Sequence, residues 1–264
     1  MSRAEAIETV AATLLGAYEG ALVPPVREAF APGDVDAAYA VQLAQVARWT
    51  GQGRRIAGRK IGLTSKVVQA QLGVDEPDFG HLFADMVFGD NETLPFERLQ
   101  QPKVEAEVAL ILSQDLDLAD CTVADVIAAT AWVMPAVEIV SSRIADWKIN
   151  ILDTVADNAS SGLVAIGGPA RRLDDLDLSG CPMTLRVNGE VASEGVGAAC
   201  LGNPLNAAAW LARRSAALGH PLRRGELILT GALGPMAPVA PGDAVEAEIG
   251  GLGSLRLNFS RPSA

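Results

Sequence analysis

The chain has 264 residues, 49% of them hydrophobic, enough to bury one large core with room for a small appendage. Its formal charge of −11 repels nucleic acid and anionic membranes at long range, and no apolar run reaches the ~20 residues of a membrane-spanning helix. The expected partner is a small molecule, which can be anionic if a local cluster of Lys, Arg and metal reverses the field inside a pocket.

In chain order, MSRAEAIETVAATLLGAYEG carries apolar residues at helical spacing from Arg3 to about Glu19. It lacks the basic start, unbroken apolar stretch and cleavage site of a secretory leader, so a cytoplasmic location is expected. The proline-rich LVPPVREAFAP reads as an extended connector. Asp34 then offers an N-cap to a second helix from Val35 to Trp49, which Gly51-Gln52-Gly53 ends. Residues 1–56 are thus expected to form a small helical cap on a catalytic domain of residues 57–264.

Beyond the cap, RRIAGRKIGL, KVEAEVALIL, VMPAVEIV and ELILTG are short runs rich in Val, Ile and Leu, as strands require. TLRV and EVAS flank Asn188-Gly189, a hairpin turn pair, and AVEAEI with GSLRLNF adds two more strands. Two helices interrupt them. One starts at Thr122, with Asp125 three residues on, and is expected to reach about Trp132; the other has Asn203 as N-cap and Pro204 at its first position and ends near Gly219. The fold class is α+β, with a β-rich body.

Three scattered cysteines and two histidines, His81 and His220, argue against a disulfide framework, a thiolate zinc site or a histidine-rich metal centre. Any metal must be held mainly by oxygen, which favours Mg²⁺ or Mn²⁺. On a strand from Lys103 to Leu112, Glu105 and Glu107 share a face, and Glu138 lies within the apolar run Met134–Val140. Carboxylates in such surroundings must take up protons, pair with cations or bind metal. Three of them on two strands suit one face of an octahedral hard-metal site, whereas two surface glutamates on a solvated strand edge are the bland alternative for Glu105 and Glu107.

The stretches Gly58–Ser65 and Leu72–Gly80, the Glu105-x-Glu107 strand, AVEIVSSRIADWKI, Asp153–Ser161, LGNPLNAAAWLA and ILTGALGPM together resemble the 2-keto-4-pentenoate hydratase family. That family lies in the fumarylacetoacetate hydrolase superfamily, and the likeness spans nearly the whole chain in order. The resemblance implies a mixed β-roll body and a divalent cation on Glu105, Glu107 and Glu138. It implies Lys60 in the active site, lined by the Asp75–Asp78 loop and Ser160. It also implies a homo-oligomer, which can associate with neighbouring enzymes of aromatic-compound catabolism.

The implied reaction hydrates 2-hydroxypenta-2,4-dienoate to 4-hydroxy-2-oxopentanoate: a proton reaches C5, then water adds at C4 of the resulting enone. Lys60 offsets the charge left by three glutamates, one dication and a substrate carboxylate, and assists proton movement if burial lowers its pKa. Asp78 is the candidate for orienting water or relaying a proton, although Pro77-Asp78-Phe79-Gly80 is turn chemistry in its own right. Ser160, the Thr230 hydroxyl and the Gly231 amide are candidate substrate contacts. Arg143 and Lys148 are cations that can stand near the mouth, and His81 is left without a role. Three other readings compete: a 4-oxalocrotonate-type decarboxylase, which needs a further cationic contact that the sequence does not locate; a C–C bond hydrolase, disfavoured because that chemistry wants a histidine–carboxylate pair and only His81 and His220 are available; and a non-catalytic partner subunit.

Overall fold

The structure, a computed structural model, describes residues 2–66, 69–70 and 74–261, so Leu72 and Gly73 of the second motif lie outside it. Helices α1 (Arg3–Ala17) and α2 (Val35–Gly51) form where the apolar spacing puts them. Ser2 and Glu5 cap α1 reciprocally, and the Asp34 carboxylate accepts the Ala37 N–H at the start of α2. The N-terminal helices share one apolar cluster with the body, running from Val10 to Phe259.

Among the described residues an eight-stranded mixed sheet forms the centre. Its order is β2 (Asp78–Phe83), β1 (Ile56–Gly62), β10 (Leu227–Ala232), β5 (Lys103–Leu112), β6 (Thr130–Val140), β7 (Ser161–Ile166) and β3 (Val87–Phe88), with β11 (Ala237–Pro238) also on β5. A second sheet, β4 (Thr93–Leu94), β13 (Gly253–Phe259), β12 (Ala244–Ile249), β8 (Pro182–Val187) and β9 (Glu190–Val196), packs against β5, β6 and β7. The β8–β9 hairpin turns at Asn188 and Gly189, both at positive φ, as its two-residue loop demands.

Helices α3 (Val123–Ala129), α4 (Ile151–Ala156) and α5 (Pro204–Ala217) fill the connections. α3 stops three residues before the expected Trp132. Thr130 leaves the helix at ψ 120°, because Thr130, Trp132 and Val133 belong to β6 and pair with β5. Sequence patterning does not predict α4, β7 or β2, nor the two-residue strands β3, β4 and β11. Pro77–Gly80 is not a turn; Asp78 starts β2 and pairs with Gly62 of β1. α2 reaches this edge through Gln42, whose amide donates to the carbonyls of Phe79 and Val155 and accepts from His81 Nδ1 at 3.0 Å. His81 is therefore a buried structural residue, and burial holds it well below the usual histidine range.

Candidate metal centre and active site

Antiparallel pairing of β5 with β6 sets Glu105 directly opposite Glu138, with Glu107 two residues along on the same face. One oxygen from each of the three carboxylates lies within 4.8 Å of the others. Glu107 and Glu138 are fully buried; Glu105 is half-buried at the cavity wall. On the other side of β5, strand β10 carries a bulge between Leu229 and Ala232 that turns Gly231 to φ +116°. The Gly231 N–H consequently donates to Glu107 Oε2 at 2.8 Å and fixes that carboxylate. A side chain at Gly231 would be strained at this φ and would overlap Thr64.

Alternation along β1 separates its two cations. Arg59 faces away and pairs with Glu226 at 2.5 Å, whereas Lys60 points at the carboxylates, its Nζ 3.0 Å from Glu138 Oε1. Burial works to lower the Lys60 pKa, but Glu138, Asp78, Glu105 and Glu107 together raise it above the ordinary lysine value. Without metal, the surrounding carboxylates thus favour the ammonium form of Lys60. Asp78 lies beside it, buried, with Oδ2 accepting from the Thr154 hydroxyl at 3.2 Å. Burial raises the Asp78 pKa, and the Lys60 charge opposes that rise.

Glycine at 62 makes this neighbourhood possible. A methyl group there would overlap Asp78 Oδ1 and come within 3.5 Å of Lys60 Nζ. Gly62→Ala is expected to lower kcat/KM by about 100-fold while the melting temperature stays near wild type, because only the two polar side chains must move. Steady-state kinetics beside thermal melts check it.

The carboxylates fit a hard cation. Glu107 Oε1 and both oxygens of Glu138 are buried without a well-directed hydrogen-bond donor, and the donor set is all oxygen. Burial first, then the charges of Glu138 and Glu105, push Glu107 well above the usual carboxylate range; burial and Glu138 bring Glu105 up to about 7. Without metal the cluster thus keeps protons that the unfolded chain releases near pH 4.5. These raised values make the metal-free protein lose stability as pH rises from about 4.5 through 7, while a divalent cation competes better as protons leave. The added melting temperature from Mg²⁺ is expected to be larger at pH 8 than at pH 6. Its affinity should fall about tenfold per pH unit below 7 for each proton displaced, measured by calorimetry.

A cavity of about 500 Å³ opens beside the cluster, lined by Ile61–Ser65, Glu105, Ala199, Ala232, Gly234, Pro235 and Met236. Its walls are largely apolar, and none of the lining residues described is Lys or Arg. Several sequence-predicted contacts fall elsewhere. The Thr230 hydroxyl donates to the Val108 carbonyl at 2.9 Å and is fully buried, so it braces β10 on β5. Gly231 commits its amide to Glu107, which leaves it unavailable to a substrate. Asp75 is exposed to solvent. Ser160 is buried at φ +52° with its hydroxyl unpaired. Arg143 is locked to Asp157 at 2.6 Å beneath Tyr18, and exposed Lys148 pairs with Asp146; neither lines this cavity. Sequence reasoning missed Thr154, whose only signal was its place in Asp153–Ser161, and the close approach of Thr64 to Gly231.

Residues 55–260 match the family described as fumarylacetoacetate (FAA) hydrolase C-terminal. The chain is 52% identical over 263 residues to 2-keto-4-pentenoate hydratase 1 of Dechloromonas aromatica (strain RCB), covering 98% of this chain and 100% of that one. It is 56% identical over 240 residues to the 2-keto-4-pentenoate hydratase of Paraburkholderia xenovorans (strain LB400), covering 91% and 89% of the two chains. Among solved structures, 4-oxalocrotonate decarboxylase from Pseudomonas putida G7, complexed with magnesium and adipate, superposes with a TM-score of 0.93 at 35% identity over 98% of each chain. The chain belongs to the fumarylacetoacetate hydrolase family, and within it to the 2-keto-4-pentenoate hydratases.

Proposed function

We propose that this chain is a divalent-cation-dependent hydro-lyase that converts 2-hydroxypenta-2,4-dienoate and water to 4-hydroxy-2-oxopentanoate. The observation that carries the reading is the cluster of Glu105, Glu107, Glu138 and Lys60, with Asp78 near Lys60 across Gly62, next to a mostly apolar cavity that Glu105 and Gly62 line. In this reading residues 57–264 carry the chemistry and residues 1–56 cap it. Glu105, Glu107 and Glu138 hold Mg²⁺ or Mn²⁺, which when bound supplies Lewis acidity to the 2-oxygen of the substrate.

The chain's own groups do the rest. Lys60, kept as an ammonium, balances the carboxylates and the incoming substrate carboxylate and can donate to the substrate's oxygens. Asp78 is the group beside it assigned to exchange protons, and burial raises its pKa above the ordinary aspartate value against the pull of the Lys60 charge. It gives a proton to C5 of the dienol while the 2-hydroxyl proton passes to solvent, leaving the C2 ketone and the C3=C4 enone. The resulting carboxylate then takes a proton from the water that attacks C4, and C3 takes up a proton from solvent, so the protons released and consumed balance. The apolar wall of Leu63, Ala199, Pro235 and Met236 suits the hydrocarbon end of the substrate and limits competing water. Ser160, with its unpaired hydroxyl, remains a candidate for the substrate carboxylate.

The structural likeness to a 4-oxalocrotonate decarboxylase supports a second reading, in which a dicarboxylate loses carbon dioxide. The absence of Lys and Arg from the described lining argues against a second substrate carboxylate there. The test feeds both substrates to the Mg²⁺-loaded protein and follows dienol absorbance beside carbon dioxide. Dienol loss without carbon dioxide, abolished by chelator, is expected; carbon dioxide with no hydration product reverses the order. A non-catalytic subunit has no use for an intact cluster of three carboxylates and a lysine, and chelator-insensitive absence of turnover on either substrate would favour it. A cytoplasmic homo-oligomer, in contact with enzymes that supply the dienol or cleave the product, completes the proposal; no helix among the described residues is long and apolar enough to cross a membrane.

A further inference from the structure

The role given to Asp78 raises the question of what aims its carboxylate. Its two oxygens have different surroundings. Oδ1 is the atom nearest the missing side chain of Gly62, on the side of Lys60 Nζ, and Gly62 lines the cavity. Oδ2 turns the other way, to the Thr154 hydroxyl at 3.2 Å, with Thr154 only 5% exposed.

Thr154 is carried on a short helix held at both ends by buried carboxylates. At its start, Asn150 caps the amides of Leu152 and Asp153, and Asp153 accepts the backbone N–H groups of Val26, Arg27 and Asn150. The Arg27 guanidinium closes on the same carboxylate at 2.6 Å. At its end, Asp157 is gripped by Arg143 and Ser142. A six-residue helix has little stability of its own, so this anchoring through side chains is what makes α4 a fixed platform. The hydroxyl it presents cannot follow Asp78 if that carboxylate swings.

We propose that Thr154 is a positioning residue: by holding Asp78 Oδ2 it keeps Oδ1 directed at the substrate cavity beside Lys60. The inference rests on Asp78 exchanging protons with substrate as set out above. Without the hydroxyl, Oδ2 is a buried acceptor without this donor, and the backbone N–H groups of Gly62 and Asp78 and the Lys60 charge are left to set the carboxylate's orientation. Binding would be little changed, because Thr154 does not line the cavity.

The test is a double-mutant cycle of Thr154→Val and Asp78→Asn in the Mg²⁺-loaded protein, with Thr154→Ser as the conservative variant. Thr154→Val is expected to lower kcat by about 10- to 100-fold with KM changed less than about threefold, since misorientation costs turnover rather than binding. Thr154→Ser should restore most of the loss. In the Asp78→Asn background, Thr154→Val should cost less than about twofold, because the group it positions is already disabled. Equal losses in both backgrounds, or no recovery with serine, would mean that Thr154 acts through packing, and the inference falls. If Asp78→Asn is impaired but Thr154→Val is not, only this inference falls; if Asp78→Asn keeps wild-type kcat, the proposed role of Asp78 falls with it. Thr154→Ala supplies a second hydroxyl-free variant should valine not be tolerated.

Discussion

Glu107→Gln is expected to lower turnover by at least about 1,000-fold and to remove the stabilisation that Mg²⁺ gives the wild type. Glu107 is fully buried, and one of its oxygens already accepts the Gly231 N–H. A glutamine carbonyl can keep that bond, so the bulge in β10 and the β5–β10 pairing survive. The other oxygen, without a donor in wild type, becomes an NH₂ facing Glu105 and Glu138. That group hydrogen-bonds carboxylates but opposes a cation. The metal-free variant should therefore melt at or above the wild-type temperature at pH 8, since one buried negative charge has gone. Thermal melts with and without Mg²⁺, alongside the dienol assay, separate this outcome from simple misfolding. Wild-type turnover in the variant, insensitive to chelator, would remove the case for the centre.

Lys60→Met has the opposite signature in the metal-free protein. The ammonium sits 3.0 Å from Glu138 and is 4% exposed, so its removal leaves buried carboxylates uncompensated. A cost of about 3 kcal/mol is expected, at the low end for a broken buried pair because the cluster can take up a proton instead. Metal binding should hold or tighten, since a positive charge no longer competes with the cation for the same oxygens. Turnover should nonetheless drop by about 100- to 10,000-fold, as the charge facing the substrate carboxylate is lost. Calorimetry with Mg²⁺ and steady-state kinetics on the same preparation check both halves. A variant that loses metal and activity together would show Lys60 to be a scaffold for the centre.

Much of the site was legible because β-strand alternation is a strict period. Lys103–Leu112 had to place Glu105 and Glu107 on one face, and the apolar neighbours of Glu138 marked it as buried; both came true in β5 and β6. Asn188-Gly189, Asn203-Pro204 and Asp34 are local signals, and the structure uses each where it stands. Pro77–Gly80 misled for the same reason: its turn-forming residues describe local preference, while its place as a strand is set by pairing with β1, far along the chain. Thr230 and Gly231 were read as ligand contacts because nothing local announces the one-residue slip between Leu229 and Ala232 that commits them to Val108 and Glu107.

By itself, then, the sequence determined which side chains carry charge into apolar strands, and so which chemistry the protein has available: oxygen donors for a hard cation, one lysine to balance them, no histidine centre. Only the tertiary structure decided that Glu105 and Glu138 stand opposite one another, that Lys60 and Asp78 meet across Gly62, and that a helix anchored by Asp153 and Asp157 brings Thr154 to Asp78. The reason is physical: a residue's face on a strand follows from its own neighbours at a spacing of two. Register between strands, and the approach of a helix to a sheet edge, depend on hydrogen bonds and packing between segments distant in sequence.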